Sequence, residues 1–350
     1  MKLSDREWKA FFITDVFPKK NIKRGKRLTR ENQDAGSVPY VSSTALNNGV
    51  DNYIEVTDKM RTYSNCLSVA NSGSVGSSFY EPFEYVASDH VTHLQNDNFD
   101  EYIYLFIACM TSRWSAKYNF NREINDARIS REKILLPVKK DGTPDYDFMK
   151  SYVIKLQATQ YQKGTTYFKN KKDSLKYKKI KPLTEINWKA IPLNEIFKIY
   201  SGKRLEKYNM VAGTRPFIGS TDSNNGITNF VSNENESIDK NVLGVNYNGS
   251  VVENFYHPYE CIFSDDVKRL HLINHEDNPF VLLFFKTIIL QQKKKYMYAY
   301  KFNEGRMKRQ YIVVPVKDDD TPDYDYMEQY IKNLIIAKCE AYLNFKRFKR

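Results

Sequence analysis

The chain has 350 residues, with 54 Lys and Arg against 42 Asp and Glu, a formal net charge of +12. That length holds two domains of ordinary size, and both halves are basic (29 against 21 up to position 180, 25 against 21 after it), which points to a polyanion touching both. Cys66, Cys109, Cys261 and Cys339 lack C-x-x-C spacing, which argues against disulfides and structural zinc, and no apolar run spans a bilayer, so a cytoplasmic protein is expected.

In chain order the sequence says everything twice. Trp8-Lys9-Ala10 returns as Trp188-Lys189-Ala190, and Gly25-Lys26-Arg27-Leu28 as Gly202-Lys203-Arg204-Leu205. Asn47-Asn48-Gly49-Val50 returns as Asn224-Asn225-Gly226-Ile227, and Gly73-Ser74-Val75 as Gly249-Ser250-Val251. Thr143-Pro144-Asp145-Tyr146-Asp147-Phe148-Met149 returns as Thr321-Pro322-Asp323-Tyr324-Asp325-Tyr326-Met327. The offset drifts only between 180 and 176. A domain of about 175 residues is therefore duplicated in tandem.

Each copy opens with an amphipathic stretch ending at Phe17 or Phe197, followed by the basic Gly-Lys-Arg-Leu turn. A strand-like run, Val38-Pro39-Tyr40-Val41 or Arg215-Pro216-Phe217-Ile218, then breaks at Asn-Asn-Gly, whose tolerance of positive φ predicts a tight hairpin. Cys66 to Ala70 and Val242 to Val245 read as short strands, Tyr102 to Trp114 and Phe280 to Gln291 as buried helices. Ile134 to Val138 and Ile312 to Val316 read as closing strands, with Pro137 and Pro315 marking an edge. Thr143 and Thr321 sit where a helix N-cap belongs, with Pro at the first helical position and Asp in the first turn. In the second copy Met327, Tyr330, Ile331, Leu334, Ile335, Cys339, Tyr342 and Phe345 follow a helical stripe; in the first, Met149, Tyr152, Val153 and Leu156 begin one that Gln157, Gln160 and Gly164 weaken. Helices of about 25 to 30 residues, roughly 40 Å long, would pair antiparallel. Lys169 to Pro182, with seven lysines, reads as the linker. The expected class is α+β: recognition domains at 1–142 and 182–320, a spacer helix with linker at 143–181, and a second spacer helix at 321–350.

Several fragments imitate catalytic motifs. Asn278-Pro279-Phe280 has one proline where amino-methyltransferases carry two, and no Gly-rich cofactor loop precedes it. Asp266-Val267-Lys268 fits the tail of a metal-nuclease pattern, but its counterpart is His90-Val91-Thr92, which lacks the lysine. No P-loop is present. The pairs His90/His93 and His271/His275 do not superpose between copies and read as surface or loop histidines. No catalytic, metal or cofactor site is assigned to this chain.

What does recur is a set of groups suited to phosphates and base edges. Lys23, Arg24, Lys26 and Arg27 crowd the first basic turn, and Lys203 and Arg204 keep its core in the second. Asn125 and Arg128, with Arg122 nearby, match Asn303 and Arg306, with Lys308 and Arg309. Asn and Arg read adenine and guanine bidentately, and they equally cap or brace a loop. A stand-alone nuclease or methyltransferase and a tandem RNA or single-stranded DNA adaptor stay open at this level.

Two divergent domains, each followed by a long helix with the Thr-Pro-Asp-Tyr-Asp-Phe/Tyr-Met entry, resemble the specificity (S) subunits of restriction–modification systems over nearly the whole chain. The Gly-Lys-Arg-Leu, Asn-Asn-Gly, Gly-Ser-Val and Leu-Pro-Val landmarks look closest to the S subunits of BcgI-like type IIB systems, with type I subunits next. The resemblance implies two target recognition domains on a helical spacer, a bipartite double-stranded DNA site, and an adenine methyltransferase/restriction partner. That partner would dock on the helices, here through Met149, Tyr152, Leu156, Met327, Tyr330 and Leu334. S-adenosylmethionine and Mg2+ would belong to partner subunits, and the lysine-rich joint departs from an ideal paired coiled coil.

Overall fold

The computed structural model describes residues 1–345 apart from 59, 120, 297 and 298. It divides into two compact units, Met1–Lys163 and Gly164–Arg350. The first comprises β1 (Glu7–Phe12), α1 (Ile13–Val16), β2 (Ile22–Arg24), β3 (Ala35–Val41), β4 (Val50–Ile54), β5 (Thr62–Tyr63), β6 (Cys66–Ala70), β7 (Ser78–Glu81), β8 (Tyr85–Ala87), β9 (Val91–Leu94), α2 (Glu101–Thr111), α3 (Asp126–Ile129), β10 (Lys133–Val138) and the start of α4 (Tyr146–Asp173). The second comprises the end of α4, then β11 (Trp188–Pro192), α5 (Leu193–Ile196), β12 (Phe197–Ser201), β13 (Ala212–Ile218), β14 (Ile227–Val231), β15 (Val242–Asn246), β16 (Asn254–His257), β17 (Ile262–Phe263), β18 (Val267–Leu272), α6 (Pro279–Leu290), α7 (Glu304–Lys308), β19 (Tyr311–Pro315) and α8 (Tyr324–Leu343).

The duplication seen in sequence is a duplication of topology. A four-stranded sheet β2-β9-β6-β7 matches β12-β18-β15-β16, and a closing pair β1-β10 matches β11-β19. Pro137 and Pro315 thus lie in two-stranded sheets, and their carbonyls accept the N–H groups of Asp145 at 2.8 Å and Asp323 at 2.9 Å from the short segment that bridges to the end of each strand. A third sheet, β4-β3-β8-β5, returns as β14-β13-β17, with β5 reduced to an isolated bridge between Asp239 and Cys261. In both copies β3 or β13 runs parallel to β8 or β17. Instead of a two-residue hairpin turn, a longer loop joins β3 to β4, ending in a turn where Asn47 and Asn48 take φ of 49° and 53°; Asn224 and Asn225 repeat this at 50° and 53°. Asn tolerates this left-handed region because its short amide can bond locally.

Each core forms around a helix laid on the four-stranded sheet. Asp100 caps α2 by accepting the N–H groups of Tyr102 and Ile103, and Asn278, the residue of the methyltransferase imitation, caps α6 just before Pro279. α6 buries Val281, Leu282, Phe284, Phe285, Ile288 and Ile289, with Phe285 edge-on to Phe197 at 4.9 Å. Each such side chain contributes about 1.5 to 3 kcal/mol of burial.

The long helices start two residues later than their sequence suggests. Thr143 and Thr321 are held in the preceding loop, where their hydroxyls donate to Asp141 at 2.7 Å and Asp319 at 2.6 Å, while Pro144 and Pro322 bridge back to Val138 and Val316. The capping oxygens come from Asp145, which accepts the Phe148 N–H at 3.0 Å, and from Asp323, which accepts that of Tyr326 at 3.0 Å. Arg6 also bonds Asp145 at 2.9 Å. Burial pushes the Asp145 carboxyl up, but the Arg6 and Phe148 bonds outweigh it and hold it below its ordinary value.

α4 has 28 residues and α8 has 20, so the second helix falls short of the expected length within the described residues. Gly164 does not loosen α4. It admits the Tyr342 hydroxyl of α8 into the space a Cβ would take. Beyond it Phe168 packs on Tyr342 at 4.2 Å and Lys172 pairs with Glu340 at 3.6 Å. The lysine-rich segment that follows is an ordered strap. Asn333 accepts the Lys178 N–H at 3.3 Å and donates to its carbonyl at 2.7 Å, Gln329 donates to the Lys176 carbonyl at 2.9 Å, and Tyr326 to that of Lys181 at 2.8 Å. From Tyr342 beside Gly164, through Glu340 beside Lys172, to Tyr326 beside Lys181, numbers fall on one side as they rise on the other, with a local reversal at Lys176 and Lys178: within the second unit the pairing is antiparallel. Asp145→Ala and Asp323→Ala should each destabilise the chain by about 1 kcal/mol or more in urea unfolding, whereas Thr143→Ala and Thr321→Ala, which remove no cap, should cost less than the aspartate changes.

Candidate nucleic-acid interface

The first basic turn follows β2. The Gly25 N–H donates to the Val91 carbonyl at 3.0 Å, and a Cβ there would collide with the carbonyls of Ala87 and Ser88, so only glycine lets the turn lie this close. Lys23, Lys26 and Arg27 are left exposed and Arg24 half-buried; among the described residues none of the four forms an ion pair. The second unit builds the same turn, but its charges are answered. Lys203 lies 2.5 Å from Glu236, Arg204 lies 3.1 Å from Glu206, and Arg215 forks between Glu234 at 3.2 Å and Glu260 at 2.8 Å.

The recurring Asn and Arg residues serve the local frame in both copies. Asn125 caps α3 and Asn303 caps α7, accepting the N–H groups of Arg128 at 2.9 Å and Arg306 at 3.0 Å. The Arg128 guanidinium donates to the Glu123 carbonyl, and that of Arg306 to the Lys301 carbonyl at 2.8 Å while lying 3.8 Å from the Tyr300 ring centre. Arg122 lies over Tyr118 at 5.4 Å, Lys308 pairs with Glu304 at 2.8 Å, and Arg309 is exposed just past α7.

Of the helix residues read as a docking stripe, Met149 and Met327 are wholly buried in the cores of their own units and offer a partner nothing. Tyr152 and Tyr330 pack partly against those cores, while Leu156 and Leu334 stand exposed at 46% and 45%. Ile336, outside the expected stripe, is buried in place of Leu334.

Sequence reasoning missed a cleft of about 590 Å³ in the first unit, bordered by Lys23, Arg61, Tyr63, His93 and Gln95 among others. Lys23 and His93 are 70 positions apart and meet only because β2 and β9 pair in that register. His93 is no surface histidine: it is 3% exposed, its Nδ1 lies 2.7 Å from the Lys23 carbonyl, and its ring centre lies 4.0 Å from that of Tyr63 at a tilt of 35°. Burial holds it down to about 4, so it is neutral and Nδ1 carries the donating proton. His271 in the second unit is half-buried and held by carboxylates. It bridges Asp239 at 2.9 Å and Asp277 at 2.7 Å, and Asp239 in turn accepts from Arg269 at 3.0 Å. The bonds to Asp239 and Asp277 raise it to about 9. Among the described residues no group of three or more His, Cys, Asp or Glu side chains is placed to hold a metal ion, and no helix is long and apolar enough to cross a membrane.

Two copies of one α+β module with different polar groups at equivalent positions define a two-headed recognition protein. The chain belongs to the family described as the type I restriction modification DNA specificity domain, whose model matches residues 5–166 and again 185–341. It is 41% identical over 332 residues to the type II restriction enzyme specificity subunit S.BcgI of Heyndrickxia coagulans, covering 94% of each chain. In fold it matches the S subunit of a type I restriction–modification system from M. genitalium with a TM-score of 0.57 at 17% identity, over 98% of this chain and 93% of that one. It is thus a non-catalytic DNA-specificity subunit with tandem recognition domains.

Titration of the histidine rings by nuclear magnetic resonance should find His271 near pH 9 and His93 near pH 4. Because its folded value is raised, the stability His271 contributes is complete below its ordinary 6.5 and is lost as pH rises through about 9. Asp239→Asn should remove most of that pH dependence.

Proposed function

We propose that each unit reads one half of a bipartite double-stranded DNA site and that the chain delivers a methyltransferase/restriction partner to it in the cytoplasm. The observation that carries this reading is the pairing of a repeated frame with unlike side chains. Lys23 of β2 answers to Tyr200 of β12, and His93 of β9 to Arg269 of β18, each on the same strand pairing. Two readers sharing a scaffold but not its polar groups suit two different half-sites. The exposed cations of the first unit suit phosphate contacts, which supply affinity that falls with salt, while base edges supply discrimination. Lys23, Arg24, Lys26, Arg27, Lys203 and Arg204 remain the proposed DNA-facing set, with Arg122, Arg309 and the capped turns at Asn125 and Asn303 beside it.

The partner would dock on the helices through side chains that are free to be covered, Leu156 and Leu334 with Tyr152 and Tyr330 beside them. S-adenosylmethionine and Mg2+ would be bound by partner chains. The target base would have to leave the stack to reach a partner's pocket.

Replacing residues 188–318 by the corresponding segment of another specificity subunit should change one half of the recognised sequence and leave the other intact; changes in both halves would end the modular reading. Removing seven residues from each of α4 and α8 should shorten the unspecified stretch between the half-sites, since a helix of 28 residues is about 42 Å long against about 34 Å for a DNA turn. An unchanged stretch would show that the helices do not set it.

A further inference from the structure

The duplication puts the same place of the fold, at matched strand registers, in both units. Leu94 pairs with Ile22 on one side and Leu67 on the other, and Leu270 pairs with Ile199 and Leu243. One step along, His93 therefore answers to Arg269 and Lys23 to Tyr200. Tyr63 pairs with Tyr85, and Asp239 bridges to Cys261, each next to the parallel pairing with β3 or β13, so Tyr63 answers to Asp239.

In the second unit this place is closed by its own charges. Arg269 is bonded to Asp239 at 3.0 Å and to the Ser201 carbonyl at 2.9 Å, and Tyr200 covers its guanidinium at 5.7 Å. His271 completes the set between Asp239 and Asp277, giving two cations and two carboxylates in mutual contact. Arg269 and Asp239 are only 11% and 16% exposed, so little of either is left for a ligand.

In the first unit the same place is an open cleft of about 590 Å³. Lys23 and Arg61 stand exposed on its walls, the Tyr63 hydroxyl donates to the Arg24 carbonyl at 3.3 Å, and neither cation has an ion-pair partner among the described residues. No acidic side chain lines it; Asp97 is one step outside, accepting from Gln95 at 3.3 Å. The floor is the tilted Tyr63–His93 ring pair. Two uncompensated cations over a neutral aromatic floor form a place for one compact anion.

We infer that this cleft seats a backbone phosphate of the bound DNA between Lys23 and Arg61, and that its counterpart in the second unit seats none because Asp239 and Asp277 already occupy the cations there. The inference rests on the DNA-recognition reading above and adds to it an unequal grip: the first unit supplies a phosphate anchor that the second lacks.

The test uses the full chain and duplexes enriched by it from a randomised pool, with affinity followed against KCl concentration. Lys23→Ala with Arg61→Ala should reduce the slope of log affinity on log salt by about one and weaken all duplexes alike. Lys23→Arg with Arg61→Lys should keep the wild-type slope. Lys240→Ala, which removes an exposed cation next to Asp239 in the second unit, should leave the slope unchanged. An unaltered slope in the double alanine variant would overturn the seat, and so would a loss confined to particular base pairs, which would make the cleft a base reader. A slope reduced as much by Lys240→Ala would overturn the asymmetry. Failure of the wild-type chain to enrich or retain any duplex would overturn the DNA reading itself, an outcome distinct from wild-type binding that the double variant leaves untouched.

Discussion

One inner strand of each four-stranded sheet, β9 or β18, is the constraint on which the rest depends. β9 is gripped on both edges, by β2 and by β6, as β18 is by β12 and β15. Side chains alternate along a strand, so a slip of one residue would turn the polar face inward and Leu94 or Leu270 outward. Leu94 and Leu270 are 0% exposed and anchor the two cores, which makes the slip costly. The register that satisfies the core thereby decides what faces the opposite side: His93 beside Lys23 in one copy, Arg269 beside Tyr200 in the other. The side chains at those positions differ between the copies while the fold that presents them is kept.

Much of this frame was legible in the sequence because repetition supplied a second measurement of every element. The paired landmarks located the duplication, and the apolar runs around Phe106 and Phe285 located the central helices. Errors arose where two local rules competed. Thr-Pro matches a helix start, but Asp141 and Asp319 capture the threonine hydroxyls and the capping role passes to Asp145 and Asp323. A single helical stripe predicted Leu334 inside; α8 instead bonds the strap through Tyr326, Gln329 and Asn333 on a second side, and Ile336 is covered while Leu334 is not. His93 and His271 were misread, while His90 is exposed and His275 lies in a loop as expected: the strands that bury His93 and the Asp239 carboxylate at His271 are distant in sequence. Arg61 gave no signal at all, since only the pairing of β5 with β8 and of β2 with β9 brings it to Lys23.

The two units also differ in how their charges respond to solution conditions. Exposed, unpaired cations such as Lys23, Lys26 and Arg27 interact over a screening length of about 8 to 10 Å at ordinary ionic strength. The Arg269–Asp239–His271–Asp277 network is half-buried and internally compensated, so salt reaches it less. Its contribution is to hold the place shut: without Asp239, the Arg269 guanidinium would lose its carboxylate partner while remaining largely enclosed. The same site in the fold can thus stabilise the protein in one copy and stand ready for a ligand in the other.

The strap that Tyr326, Gln329 and Asn333 hold has a consequence for biosynthesis. Its backbone bonds span 145 to 155 positions of the chain. At about 5 to 20 residues per second, a ribosome emits the strap roughly 8 to 30 s before the helix that will fasten it. During that interval a basic tether hangs open on the nascent polypeptide. The seam between strap and α8 can therefore close only once the last helix of the second unit has been made.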